Sequence, residues 1–109
     1  MTDAATALRD EAARRILIKD GAYGTAIQRE GLAAADYRGD TGLSKDQKGN
    51  NDLLCLTRPD LIATICQAYV DAGADVLGTN SFNANRISQA DYGAENLVPE
   101  MNVCAARII

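Results

Sequence analysis

The stretch "TRPDLIATICQAYVDAGADVLGTNSF", Thr57 to Phe82, constrains the fold of this chain most. Thr57 precedes Pro59, and Asp60 stands three residues after Thr57. Proline in the first turn and an acid near the N-terminus are helix-start signals. Leu61, Ile62, Ile65, Tyr69 and Ala72 recur at helical spacing and predict one apolar face. Gly73 is placed as the C-terminal stop. "ADVLGTNSF", Ala74 to Phe82, follows at once, and its Val76-Leu77 centre predicts a buried strand.

A second unit of the same kind lies earlier. Residues 4–15, rich in Ala, Arg and Glu, predict a helix. "ILIKD", Ile16 to Asp20, is a short β-branched run that predicts a strand, stopped by the turn "DGAYGT". Thr25 to Glu30 predicts a helix ending at Gly31. Residues 36–52, "DYRGDTGLSKDQKGNND", show no period and predict a long loop, either a surface excursion or a functional lid. Further helices are expected over "NRISQADYG" and from about Pro99. Strands alternating with helices imply an α/β fold with a parallel sheet. Two strands cannot make a stable parallel sheet alone. The last helix runs into Ile108 and Ile109 with no cap. Together these features lead us to expect a fragment whose partner strands lie elsewhere.

Composition narrows the function classes. The 109 residues suffice for one small domain, and the net charge is -4. The 11 Lys and Arg are scattered, which disfavours a nucleic-acid surface. No apolar run approaches the roughly 20 residues that span a bilayer, and the charged start lacks a signal-peptide core. A cytoplasmic protein without membrane partners is expected. The three cysteines, Cys55, Cys66 and Cys104, form no close pair, which fits a reducing compartment. The chain has no histidine, so a zinc site built from its residues alone is not expected. Cys66 and Cys104 fall in helical patterns and read as small core residues.

Ligands of parallel α/β folds bind at the carboxyl ends of strands. Two predicted strand ends then converge: Asp20-Gly21 and Thr79-Asn80-Ser81. A carboxylate, hydroxyls and an amide suit the amino and carboxyl groups of a small polar substrate. They suit phosphate poorly. The G-x-x-G-T spacing in "DGAYGT" also matches neither a dinucleotide fingerprint nor a P-loop. The turn lets backbone approach either a ligand or a packing partner. Asp20 either contacts substrate or caps the next helix near Tyr23 and Gly24. Thr79 and Asn80 have the alternative of satisfying loop backbone.

The segments "ILIKDGAYGTAIQREGL", "DYRGD" and "KGNNDLLCLTRPDLIATICQAYVDAGADVLGTNSFNANRISQADYG" resemble the start of the homocysteine S-methyltransferase domain over roughly residues 15–109. Within that family they look most like the cobalamin-dependent methionine synthases. The resemblance implies the N-terminal part of a (β/α)8 TIM barrel, with residues 1–109 forming a partial homocysteine-binding domain. It implies transfer of a methyl group to the homocysteine thiol, giving methionine, with zinc holding the thiolate and methylcobalamin donating the methyl. Betaine- and S-methylmethionine-dependent enzymes share the domain and are the alternative donors. A truncated, non-catalytic remnant or interaction module is the alternative to an enzyme. The resemblance places the zinc cysteines beyond Ile109 and assigns no catalytic or metal-binding residue to this chain. The implied partners are homocysteine, the rest of the barrel and the cobalamin and folate modules.

The resemblance also assigns Asp20 to the homocysteine amino group, and Thr79, Asn80 and Ser81 to the same pocket as Asp20-Gly21. Two residues depart from the family pattern. Ala22 stands where a second glycine is usual, and a positive φ there would cost alanine about 1 kcal/mol or more. Gly78 stands where the family often has glutamate before Thr-Asn, which removes a carboxylate from the pocket floor.

Overall fold

The computed structural model describes residues 3–109. The chain folds as a set of short helices around two apolar clusters. Helix α1 spans Ala4–Ala12, and the Asp3 carboxylate caps it by accepting the Thr6 N–H at 2.9 Å. Helices α2 (Gly24–Gln28) and α3 (Ala34–Arg38) are short. A 3₁₀ turn at Asn51–Leu53 runs directly into α4 (Leu54–Thr57), which leads to α5 (Pro59–Asp71). Helix α6 (Arg86–Ala90) and a second 3₁₀ turn, Glu95–Leu97, precede α7 (Val98–Ile108). No helix among the described residues is long and apolar enough to cross a membrane.

Helix α5 is the framework of the main core. Pro59 opens its first turn, and Leu61, Ile62, Ile65 and Cys66 are buried along one face. Tyr69 is half-buried and Ala72 exposed, so the apolar stripe fades in the last turn. Gly73, at φ 105°, ends the helix. Its N–H donates to Val70 O, and the Ala74 N–H donates to Tyr69 O, each at 3.0 Å. This paired closure needs a left-handed residue, which glycine supplies. Ile27, Tyr37, Leu54, Cys55 and Ala105 complete the cluster. A smaller cluster joins Leu53, Ala84, Ala94 and Met101.

Three sequence expectations are corrected. The first is the α/β fold class and the N-terminal part of a (β/α)8 TIM barrel: the described residues form no sheet. The expected strands at Ile16–Asp20 and Ala74–Phe82 meet only at one isolated parallel bridge, Lys19 to Val76. The Asp20 N–H donates to Val76 O at 2.9 Å, and the Val76 N–H to Ile18 O at 3.1 Å. The Asp75 N–H also donates to Ile18 O at 2.7 Å, and among the described residues no ladder extends beyond this one bridge. Parallel pairs are the weaker kind per residue, and two strands without a third leave both edges open. Ile16, Ile18 and Val76 are accordingly exposed.

The second correction is the start of α5. Thr57 belongs to α4, where its Oγ1 donates to Leu53 O, and the residue before α5 is Arg58 without a side-chain cap. The third is the expected loop over residues 36–52. Its start lies in α3, and its end is a 3₁₀ turn with Asp52 and Leu53 buried.

Candidate functional site

The two extended segments end beside each other, and the loop before the Asn51–Leu53 turn closes over them. A cavity of about 390 Å³ lies between. Asp20, Gly21, Thr79, Asn80 and Ser81, the five residues expected at the site, all line it. The first segment contributes Lys19 to Gly24, the second Gly78 to Asn83, and the loop contributes Gly49, Asn51 and Asp52.

Asp20 holds the two segments together. Its Oδ2 accepts the Gly78 N–H at 2.9 Å, and its Oδ1 accepts the Lys19 ammonium at 2.9 Å. Its side chain is 1% exposed. Burial pushes the carboxyl up, but Lys19 and the Gly78 N–H outweigh it, so Asp20 sits below the ordinary aspartate range. It does not cap α2, whose N-cap is Tyr23 with no side-chain bond. Arg15 makes a further tie through both guanidinium nitrogens to Asp75, at 2.9 and 3.0 Å.

Gly21 is required by a close approach. A Cβ there would lie 2.8 Å from the Tyr69 hydroxyl oxygen. That hydroxyl donates to Ala22 O at 2.7 Å and so fastens the turn to α5. Among the described residues no residue other than glycine has a positive φ. Ala22 is therefore unstrained, and the cost expected for it does not arise. Gly78 faces the Lys19 ammonium: a Cβ would lie 3.2 Å from Nζ and 3.7 Å from Asp20 Oδ1. The space beside residue 78 is thus shared with a cation.

The second segment is braced from behind. The Asn80 side chain donates to Asn51 O at 2.9 Å, and the Asn80 backbone carbonyl accepts the Cys55 thiol at 3.4 Å. Asn80 thereby satisfies loop backbone. The Thr79 and Ser81 hydroxyls bond each other at the rim. Behind the loop, Asn50, Gln47 and Gln89 form a buried amide network. Asn50 Nδ2 donates to Gln47 Oε1 at 3.0 Å and Gln89 Oε1 at 2.8 Å. Gln89 Nε2 returns a bond to Asn50 Oδ1 at 3.0 Å and another to Asn83 O at 3.0 Å. The network fixes both cavity loops in one arrangement.

Sequence reasoning missed three contributors. Tyr23 donates its hydroxyl proton to Gly78 O at 2.8 Å and lies 3.1 Å from Cys66 Sγ, linking turn, second segment and α5. Burial, then the Cys66 neighbour, pushes its phenol well up. Lys19 lies inside the expected strand Ile16 to Asp20, where nothing marks it as a partner of Asp20. Asp52 matches no site pattern in the sequence; its position directly before the apolar run Leu53 to Leu56 is the signal that it is buried. Asp52 Oδ2 accepts the Asn83 N–H at 2.8 Å. Burial pushes its carboxyl above the ordinary value, and that N–H offsets only part of the rise.

The donors do not fit a zinc ion. The chain has no histidine. Among the described residues no three cysteine or acidic side chains come close enough to share a metal. The Cys55 thiol is pushed up to about 11, chiefly by burial, the opposite of an activated ligand. Cys104 Sγ donates to Cys55 O at 2.9 Å. No step through zinc follows from these residues.

The cavity is bounded by two glycine turns and carries the Lys19 ammonium and the carboxylates of Asp20 and Asp52. The family model for homocysteine S-methyltransferase matches residues 17–109. That span takes in every residue of the cavity wall, and the chain belongs to the homocysteine S-methyltransferase family.

Proposed function

We propose that this chain supplies the homocysteine-binding wall of a methyltransferase of the cobalamin-dependent methionine synthase type. In that reaction the homocysteine thiol gives its proton to solvent, and the donor–methyl bond breaks as the sulfur–methyl bond forms, giving methionine and the demethylated donor. The family match over residues 17–109 carries the reading, because it spans both turns and the loop that frame the cavity. The cavity volume of about 390 Å³ suits an amino acid. The chain's own residues bind and orient that amino acid: Asp20 and Tyr23 hold the two turns at fixed separation, and Gly21 keeps the floor close to α5. The resemblance to the cobalamin-dependent type motivates methylcobalamin as the donor, and betaine and S-methylmethionine, whose enzymes share the domain, are the alternatives.

The test is methionine formation from L-homocysteine by the protein carrying this chain, with methylcobalamin, betaine or S-methylmethionine supplied separately. Methionine from methylcobalamin is expected. Methionine from betaine or S-methylmethionine alone would reassign the donor. Homocysteine binding without transfer from any donor would leave a binding module.

A further inference from the structure

The three thiols stand apart in sequence, yet two of them meet behind the second turn. Cys104 Sγ donates to Cys55 O at 2.9 Å. Cys55 Sγ in turn donates to Asn80 O at 3.4 Å and lies 3.6 Å from Asn80 Nδ2. The third thiol is engaged elsewhere, with Cys66 Sγ 3.1 Å from the Tyr23 hydroxyl. We propose that Cys55 and Cys104 form a thiol–disulfide switch that takes a low-molecular-weight disulfide of the glutathione class as co-reactant and frees Asn80 when it closes.

The helices that carry the pair, α4 and α7, pack directly against each other. The carbonyl oxygen and Cβ of one residue lie about 3 Å apart, so Cys104 Sγ stands no more than about 6 Å from Cys55 Cβ. The two thiols differ in access. Cys55 is 0% exposed, whereas Cys104 is half-buried and lines a groove of about 490 Å³ with Leu56, Val103 and Arg107. A disulfide from solvent therefore meets Cys104 first. Arg107 follows one turn later on α7, where its charge favours a thiolate at Cys104 and the carboxylates of the incoming peptide. In the first step the Cys104 thiol gives its proton to solvent and its sulfur attacks one sulfur of glutathione disulfide. The S–S bond of the reagent breaks, and one glutathione leaves as a thiolate that takes up a proton. The Cys55 thiol then gives its proton to solvent, and its sulfur attacks Cys104 Sγ and expels the second glutathione. The protein dithiol is oxidised by two electrons, and glutathione disulfide is reduced to two thiols. A disulfide sulfur carries no proton, so closure removes the Cys55 donation to Asn80 O and the Cys104 donation to Cys55 O. The second turn then keeps the Asn80 side-chain bond to Asn51 O but loses its brace on α4.

The reduced wild-type chain is incubated with glutathione disulfide, its remaining thiols are alkylated with iodoacetamide, and the product is mapped by mass spectrometry. The expected product is lighter by two hydrogens before alkylation and carries the label on Cys66 alone. Amide exchange at residues 79–81 is expected to be about fivefold faster in the oxidised chain than in the reduced one. A label on Cys55 or Cys104, or glutathione retained on Cys104, overturns the switch. Unchanged exchange at residues 79–81 in the oxidised chain overturns its link to the turn. Cys104→Ser keeps a hydroxyl donor for Cys55 O and should neither lose hydrogens nor change its exchange under the same treatment. Faster exchange at residues 79–81 in the treated variant also overturns the proposal. Should the variant not fold, the wild-type label map and exchange decide by themselves.

Discussion

The two sides of the cavity are built on opposite principles. One side, the loop around Asn50 with the segment Asn80 to Gln89, is closed by side chains that satisfy each other in the interior. The other, Ile16–Asp20 beside Asp75–Gly78, meets through one parallel bridge and exposes its apolar side chains. The first needs nothing beyond its own neighbours. The second is joined by charge and by tyrosine hydroxyls rather than by a ladder. Local polar closure therefore holds the site's geometry where backbone pairing does not.

The most damaging way to break this comparison is to open the amide network. Gln89→Leu would leave Asn50 Oδ1 and Asn83 O without their buried donor. A loss of about 2–4 kcal/mol in urea unfolding is expected. A loss under about 1 kcal/mol would mean that the network is not the stronger side.

Next comes the turn. Gly21→Ala puts a methyl 2.8 Å from the Tyr69 oxygen, and a cost of about 1–3 kcal/mol is expected. Adding Tyr69→Phe removes the clashing oxygen, so the double variant should lose less than the sum of the singles. Simple additivity in a double-mutant cycle would show that the contact does not limit residue 21.

The third effect depends on pH. The Arg15 guanidinium, and then the Ile18 N–H, pull the Asp75 carboxyl from the ordinary 3.8 down to about 2. A depressed folded-state pKa adds stability above the unfolded value, and that stability is lost as pH falls through the folded one. The chain should therefore lose stability between about pH 4 and pH 2. Asp75→Asn should lack the part of that slope due to this pair, by denaturant titration at each pH. The smallest effect belongs to the exposed face. Ile16→Ser should change stability by no more than about 0.5 kcal/mol in the same unfolding measurement. A larger loss would mean that Ile16 is buried in solution.

The contrast also explains what was legible in the sequence. Helix α5 was, because proline, an apolar period and a stop glycine all act within one element. The convergence of Asp20-Gly21 with Thr79 to Ser81 was legible too, although the sheet expected to cause it is absent. β-branched runs such as Ile16–Ile18 report a preference for extended backbone, whereas a sheet depends on partners that the local pattern does not name. Asp52 and Tyr23 stayed hidden for a related reason. Their burial comes from contacts with Asn83 and with Gly78, which lie 31 and 55 residues away in sequence.

Amide hydrogen exchange with and without saturating L-homocysteine tests the central claim, that homocysteine occupies this cavity, most directly. The account predicts slowed exchange at residues 21–24 and 78–83, with the already protected amides of Asn50 and Gln89 little changed. Unchanged exchange at both turns, or protection confined to residues away from the cavity, would contradict it.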